Sequence, residues 1–327
     1  MVKIILNTLL GIILIFIWSR FVNLGQIIST LSKVNFTYLI PVFFFMLLSP
    51  VIRAIRLKIF LSKIKKIALK DLIYLNGVAM ILNFFIPIRA GEIAKGIYLN
   101  THYKLNLGKS VIWIFLDRFV DFLIVLMVAA VLLNIIPTQL PQTFKTSLVV
   151  IFIVVLVITY LAIFQINSSK NIVNFLKHLL IEKHIKIYFE RFTSFILETF
   201  SILDRHPKDL GIMVLITILA YGADAAIWYF AFIALGFPQD FFKMYLGQLL
   251  SALTYLIPAA PGYIGSAEAS GLLILSGIFG INSNLASAMT VLFHILSAIF
   301  VIIYGLISIF SLKIDLKIIL NKALKRK

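Results

Sequence analysis

Leu82-Asn83-Phe84-Phe85-Ile86-Pro87-Ile88-Arg89-Ala90-Gly91-Glu92-Ile93-Ala94-Lys95-Gly96 is an apolar run that halts at a proline. It takes up an arginine, a glycine and a carboxylate within five residues, and then resumes an apolar helical pattern. In a chain that is 61% hydrophobic, with a mean hydropathy of +1.06, such a break is expected at membrane depth. Hydrocarbon cannot satisfy free N–H and C=O groups, so backbone leaving a helix there must face protein or a watery cavity. A second break reads Leu253-Thr254-Tyr255-Leu256-Ile257-Pro258-Ala259-Ala260-Pro261-Gly262. The two share one offset, since 258 − 87 and 262 − 91 both give 171, and Tyr74/Tyr245 and Leu75/Leu246 obey it too. Interrupted apolar segments at matching places in two halves point to a transporter-type binding site.

Working outward, the composition is that of a polytopic membrane protein, because soluble chains are about 45–50% apolar. The 327 residues form one membrane domain over 1–327, with room for about eight spanning or half-spanning segments at about 20 residues each. Its halves cover about residues 1–145 and about 146–327. The net charge of +17 does not imply nucleic acid, because the basic residues lie between apolar spans. There they set topology and meet anionic headgroups. With no cysteine, disulfides, thiolate nucleophiles and Cys-based metal sites are excluded. Lys3 before an apolar run resembles a signal peptide, but no small-residue cleavage site follows Trp18-Ser19-Arg20, so a retained first span is expected.

Apolar runs predict full spans at 4–18, 36–51, 111–136, 146–166, 210–235 and 285–312. The basic run Arg53, Arg56, Lys58, Lys63, Lys65, Lys66 and Lys70 places the following loop, and the N-terminus with it, in the cytoplasm. In this reading Arg53 and Arg56 are snorkelling anchors. Residues 72–86 and 91–99 are followed by a second basic patch, Lys95, Lys104 and Lys109. The positive-inside rule therefore favours a re-entrant hairpin over a full crossing. Residues 241–257 and 266–279 form the matching pair, entering from outside. Residues 168–208 carry Ile172, Phe175, Leu176 and Leu179 at helical spacing, which predicts helices on the cytoplasmic interface or a plain linker. The C-terminal lysines place that end in the cytoplasm as well. The expected fold is an all-α polytopic membrane protein of about six full spans plus two re-entrant helical hairpins in an inverted repeat.

Ionisable residues inside such segments cost several kcal/mol and face one another or a wet cavity. They are Arg89, Glu92, Asp117, Arg118, Asp121, Asp224, Glu268 and His294. Each has a plainer reading as a member of a buried ion pair, Glu92 with Arg118 for example. Asp117 and Asp121, four residues apart, share a helix face, whereas Arg118 projects about 100° away. Helices restarting after each break aim N-terminal N–H groups at whatever fills the cavity, and Gly91, Gly262 and Gly265 permit close backbone approach. With Arg89 and Arg118 this suits an anion such as a lipid phosphate. Glu92 and Glu268 also serve as ordinary first-turn caps. Hydrolase, nucleotide-loop and zinc-protease motifs are missing, and the histidines are scattered, so no enzyme, metal or cofactor is expected.

The first break resembles the lysylphosphatidylglycerol synthase transmembrane family, a flippase-like membrane domain. That family's Asn-x-x-x-Pro-x-Arg-x-Gly-Glu is matched at Asn83, Pro87, Arg89, Gly91 and Glu92. Its acidic-Arg-x-x-Asp resembles Asp117-Arg118-Phe119-Val120-Asp121, with Asp117 where Glu is usual. Its Pro-Gly-Gly-hydrophobic-Gly-x-x-Glu resembles Pro261 to Glu268, with Tyr263 in place of the second glycine. Arg-Ala-x-Arg is matched at Arg53-Ala54-Ile55-Arg56, and His294 stands where the family often carries Arg. The lysine-attaching synthase domain is not among these residues. The resemblance implies handling or flipping of an anionic phospholipid or lipid-linked carrier. Its expected site is Asn83, Arg89, Gly91, Glu92, Asp117, Arg118, Asp121, Gly262, Gly265, Glu268 and His294. The partners would be membrane lipids in the cell membrane. A homo-oligomer, or a role as non-catalytic partner of a glycosyltransferase or lipid synthase, is the alternative.

Overall fold

All regular structure among the described residues is helical. A computed structural model describes residues 2–62, 65–86, 90–105, 107–179, 182–204, 207–254 and 260–315. Residues 87–89 and 255–259 lie outside these, and with them Pro87, Arg89 and Pro258. Among the described residues five helices are long and apolar enough to cross a membrane, or six if a bent pair at the N-terminus counts as one span.

That bent pair is α1 (Val2–Ser19) and α2 (Leu24–Leu31), which meet at 90°. Hydropathy does not foretell the bend, which polar side chains hold. Asn23 caps α2 by accepting from the Gln26 N–H at 3.1 Å, and its own N–H donates to Asn284 Oδ1 at 2.7 Å. Trp18 Nε1 donates to Ser287 Oγ at 3.1 Å. Asn284 and Ser287 belong to the last described helix, which is thereby joined to the first two.

Helix α3 (Leu39–Ser62) runs eleven residues past the expected end of its span at Val51. It absorbs Pro50, whose carbonyl accepts from Asn76 Nδ2 at 3.0 Å. Consequently Arg53 and Arg56 lie within the bundle, and the anchor reading is wrong for both: Arg56 is fully buried, and Arg53 faces Asp224 at 2.8 Å. Snorkelling requires a path to the headgroups, and a guanidinium already matched by carboxylates has no cause to take it.

Helices α4 (Leu69–Phe85) and α5 (Ala90–Tyr103) flank the first break. Tyr103 Oη, at the end of α5, reaches Asp71 at the start of α4 at 2.5 Å. At the other end Gly91 N–H donates to Asn83 Oδ1 at 2.8 Å. The chain therefore reverses here and does not merely kink. Lys95, expected in the exposed basic patch, is instead buried on α5.

Helix α6 (Leu107–Ile135) is followed by α7 (Gln142–Phe164), whose apolar side chains are largely exposed, as a lipid-facing helix requires. The next two helices are α8 (Ile166–Leu179) and α9 (Lys183–Asp204), joined by a Lys177–Glu190 pair at 2.9 Å. Ile172, Phe175, Leu176, Tyr188 and Phe192 are exposed along them. Helix α10 (Pro207–Ala234) lies antiparallel to α3, because the Asn35 N–H at the head of α3 donates to the Ala234 carbonyl at 2.8 Å.

The second hairpin comprises α11 (Phe241–Thr254), α12 (Ser266–Gly271) and a π-helical turn, Leu272–Ile278. Phe279 returns to lie under the Lys243 ammonium, 5.7 Å from the ring centroid. Helix α13 (Ser283–Leu312) closes the bundle against α4. Apolar helices gain little by leaving lipid for each other, so close packing must hold such a bundle. At this contact Gly77 abuts Ser308 and Gly305 abuts Ile81, with space for no further carbon.

Candidate functional site

The charged residues of the first half converge at one place. Arg56 donates from Nε to Asp117 Oδ1 at 2.9 Å and from Nη1 to Thr217 Oγ1 at 2.7 Å, and Nη1 also meets Asp121 Oδ1. Thr217 passes its own hydrogen to the Met213 carbonyl at 2.7 Å. Arg118, expected to point away from Asp117, folds back instead. Its Nη2 donates to Asp117 Oδ2 at 2.8 Å and its Nη1 lies 3.3 Å from Asp121 Oδ2. Glu92 approaches from α5, with Oε1 4.0 Å from Arg118 Nε and Oε2 3.8 Å from Lys95 Nζ.

Three cations and three carboxylates thus neutralise one another, which allows them to persist in low dielectric. Burial is uneven across them. Arg56 is 0% exposed along its side chain, whereas Arg118 is 36% exposed. Arg118 Nε is buried without a hydrogen-bond acceptor among the described residues. Arg56 is the pin, and Arg118 is the cation that reaches the edge.

Spacing did not disclose Arg56, Lys95, Thr217 or the Arg53–Asp224 pair. One signal existed: two aspartates on one buried helix face demand a cation from another element. The other was the i, i+3 placement of Lys95 and Glu92.

At the second break Glu268 reaches back along α12 to accept the Gly265 N–H at 2.8 Å. Its other oxygen lies 2.5 Å from His294 Nδ1, and His294 Nε2 lies 2.7 Å from the Gly262 carbonyl oxygen. Gly262, Tyr263 and Gly265 all have positive φ, at 71°, 57° and 82°. Left-handed backbone is open to glycine at no cost, and Tyr263 accepts it at about 1–2 kcal/mol. In return its ring packs on Phe84 of α4, with centroids 6.0 Å apart. The two breaks therefore touch. Helix α1 seals the same region, with Gly11 against Ala260 and Gly265.

Of the expected site residues, Glu92, Asp117, Arg118 and Asp121 form the first cluster, and Gly262, Gly265, Glu268 and His294 the second. Asn83 and Gly91 are bonded to each other across the first hairpin. Arg89 lies outside the described residues. No group of three or more His, Asp or Glu side chains among the described residues could hold a metal ion.

Comparison with known proteins fits this arrangement. The family described as the lysylphosphatidylglycerol synthase TM region matches residues 4–305, which takes in both breaks and every charged group above. The chain belongs to this family. It is also similar to a UPF0104 membrane protein of Archaeoglobus fulgidus, at 21% identity over 306 residues, covering 90% of this chain and 92% of that one. No solved structure matches it. Family membership and the apolar helices together make this lysylphosphatidylglycerol synthase TM-region protein a multi-pass membrane protein.

Close packing at the first break gives a direct test. A Cβ on Gly91 would collide with the backbone oxygen of Ala79, and lie 2.7 Å from its Cα. Gly91→Ala is expected to destabilise the protein by about 1–3 kcal/mol, the usual cost of overpacking. Since the obstacle is backbone, Ala79→Gly should not rescue it. Thermal unfolding of the single and double variants in detergent decides the point, and a rescue would show that the hairpin is looser than described.

Proposed function

We propose that this protein moves or handles an anionic phospholipid or a lipid-linked carrier, at a site where two re-entrant hairpins of an inverted repeat meet. The observation that carries the reading is the partly exposed Arg118, braced by Asp117 and Asp121, with a buried Nε that has no acceptor among the described residues. A guanidinium held in place by carboxylates is pre-organised for a phosphate, which accepts two parallel N–H bonds.

The repeat is supported by correspondence of whole elements. Past the breaks the interval is 176 and not 171, so Gly91 corresponds to Ala267 and not to Gly262: Ser266 follows Ala90 and Ser283 follows Leu107 by it, 266 − 90 = 176 and 283 − 107 = 176. The acid–base contacts share it, since Glu268 and His294 stand 176 residues after Glu92 and Arg118. Packing follows suit: α4 lies on α13, and its counterpart α11 lies on α6. The antiparallel course of α3 and α10 supports an inverted relation.

The faces are consistent with it. The open end of the first hairpin, at Asp71 and Tyr103, lies by the tail of α3, whereas the open end of the second lies by the head of α3. There the Gln139 N–H, in the α6–α7 loop, donates to the Ile278 carbonyl at 2.7 Å. With Arg53, Arg56 and Lys95 removed from the count, the sequence run Lys58, Lys63, Lys65, Lys66 and Lys70 still supports a cytoplasmic reading of the first of these faces, in the cell membrane, with both termini on that side. The exposed apolar residues of α8 and α9 suit a place on the same interface.

The test is reconstitution into liposomes carrying fluorescently labelled phosphatidylglycerol, with headgroup accessibility as readout. A hydrogen bond to a charged group is worth about 1.5–3 kcal/mol. Arg118→Gln is therefore expected to slow exchange between about tenfold and a hundredfold, and Arg118→Lys less. A folded Arg118→Gln protein exchanging lipid at the wild-type rate would remove Arg118 from the site. Lack of exchange by the folded wild type, for every lipid that copurifies with it, would favour a non-transporting partner of a lipid-pathway enzyme.

A further inference from the structure

His294 and Glu268 share a proton. A carbonyl oxygen only accepts, so the nitrogen facing Gly262 at 2.7 Å must carry a hydrogen. At 2.5 Å the other ring nitrogen and the Glu268 oxygen need one more proton between them, on whichever atom it rests. The second Glu268 oxygen is occupied by the Gly265 N–H. One proton therefore ties α13 to α12, and the ring also holds the carbonyl of Gly262, so both left-handed glycines of the break are clamped to the last span. If that proton departs to water, a neutral imidazole and a carboxylate remain, and two lone pairs confront each other across the contact. The counterpart cation in the first half is Arg118, and arginine does not deprotonate in proteins.

Among the described residues nothing else nearby supplies a competing charge. Of the elements packed on α13, α2 and the π-helical turn carry no ionisable residue, and α12 carries Glu268 alone. On α1 only Lys3, at its distant start, is ionisable. On α3 and α10, Arg53 and Asp224 neutralise each other, Arg56 is taken by Asp117 and Asp121, Lys58, Lys208 and Asp209 lie toward the cytoplasmic ends, and Tyr221 lies under Arg53. On α4, Asp71 is held by Tyr98 and Tyr103, and Lys70 lies over Tyr74. Glu268 is the only charged group among the described residues that faces the His294 ring.

We propose that Glu268 and His294 form a proton-binding latch on the second break, which holds the hairpin against α13 when loaded and frees it when the proton leaves. The latch itself rests on geometry alone, and its consequence for transport rests on the function proposed above.

The chain has no native cysteine, so a single probe cysteine reports opening. Ala267→Cys is reacted with a charged maleimide between about pH 5 and about pH 8, each rate divided by that of Thr143→Cys in the exposed head of α7. The expected ratio rises with pH, by up to about tenfold per unit, the limit for a single proton. His294→Arg, a permanent cation on Glu268, should give a flat low ratio. Glu268→Gln, whose amide can donate to the neutral ring, should also give a flat profile. A flat wild-type profile, or one that persists in both variants, overturns the latch. Exchange of labelled phosphatidylglycerol, measured in parallel, separates the two readings. If exchange follows the labelling midpoint, the latch gates transport. If labelling depends on pH while no lipid is exchanged at any pH, the latch stands and the translocation reading falls.

Discussion

Arg56→Ala is expected to destabilise the protein by about 3–5 kcal/mol, the cost of stranding a buried charge by removing its partner. Lost hydrogen bonds alone would not reach that figure, since an interhelical hydrogen bond in a membrane averages about 0.6 kcal/mol. The large term comes from Asp117 and Asp121, buried at 4% and 7% exposure, which would be left to Arg118 alone. Arg56→Lys should fall between, because one ammonium cannot serve Asp117, Asp121 and Thr217 with the geometry of a planar fork. Neutralising both sides should recover much of the loss: Arg56→Leu with Asp121→Asn is expected to be more stable than Arg56→Ala. Unfolding measured in bicelles, for the single and combined variants, provides the check. An Arg56→Ala protein as stable as the wild type would mean that the carboxylates are hydrated and the cluster is not a core.

The same cluster marks the boundary of what sequence can disclose. Spans were legible because hydropathy over about 20 residues is a local property: five of the six windows fall on helices long enough to cross, and the first falls on one arm of a bent pair. The interruption between Phe85 and Ala90 was legible for the same reason, because a proline followed by charge inside an apolar run is a local event. Arg56 was misread because the positive-inside rule scores an arginine by its neighbours in sequence. Its true partners lie 61, 65 and 161 residues away. Even so, Asp117 and Asp121 on one face of an apolar helix announced that some cation must come to them. The bend between α1 and α2 had no comparable sign, since it depends on Asn284, 261 residues after Asn23.

The two sites differ in kind, and under the inverted repeat proposed above they share a plan. In each half a carboxylate in the first turn of the restarting helix meets a basic residue on the following span. In the first half that base is an arginine already engaged by two aspartates, a fixed charge. In the second it is a histidine with a backbone carbonyl on its far side. In the proposed repeat, a fixed cation at one break and a titratable one at the other would let the two breaks respond differently to the same conditions.

The other large effect is expected at the contact between α1 and the second break. Gly265 has φ +82°, and a Cβ built on it would collide with the carbonyl oxygen of Gly11, 2.9 Å from its carbon. Gly265→Ala therefore meets two penalties together, about 1–2 kcal/mol for left-handed backbone and about 1–3 kcal/mol for the overlap. Two other glycines separate them. Gly236 has φ +81° with nothing within 4 Å of its added carbon, so Gly236→Ala should show the backbone term alone. Gly11→Ala sits in a regular helix and meets the Ile264 oxygen and Ala260 Cβ, each at 2.7 Å, so it should show the overlap alone. Combining Gly11→Ala with Gly265→Ala should then cost less than the sum of the two, because once α1 has moved aside the second carbon finds space. Stability of the four proteins, measured under one set of detergent conditions, tests this. Strict additivity would show that α1 does not seat on the break, and would leave the second hairpin without the helix that seals it.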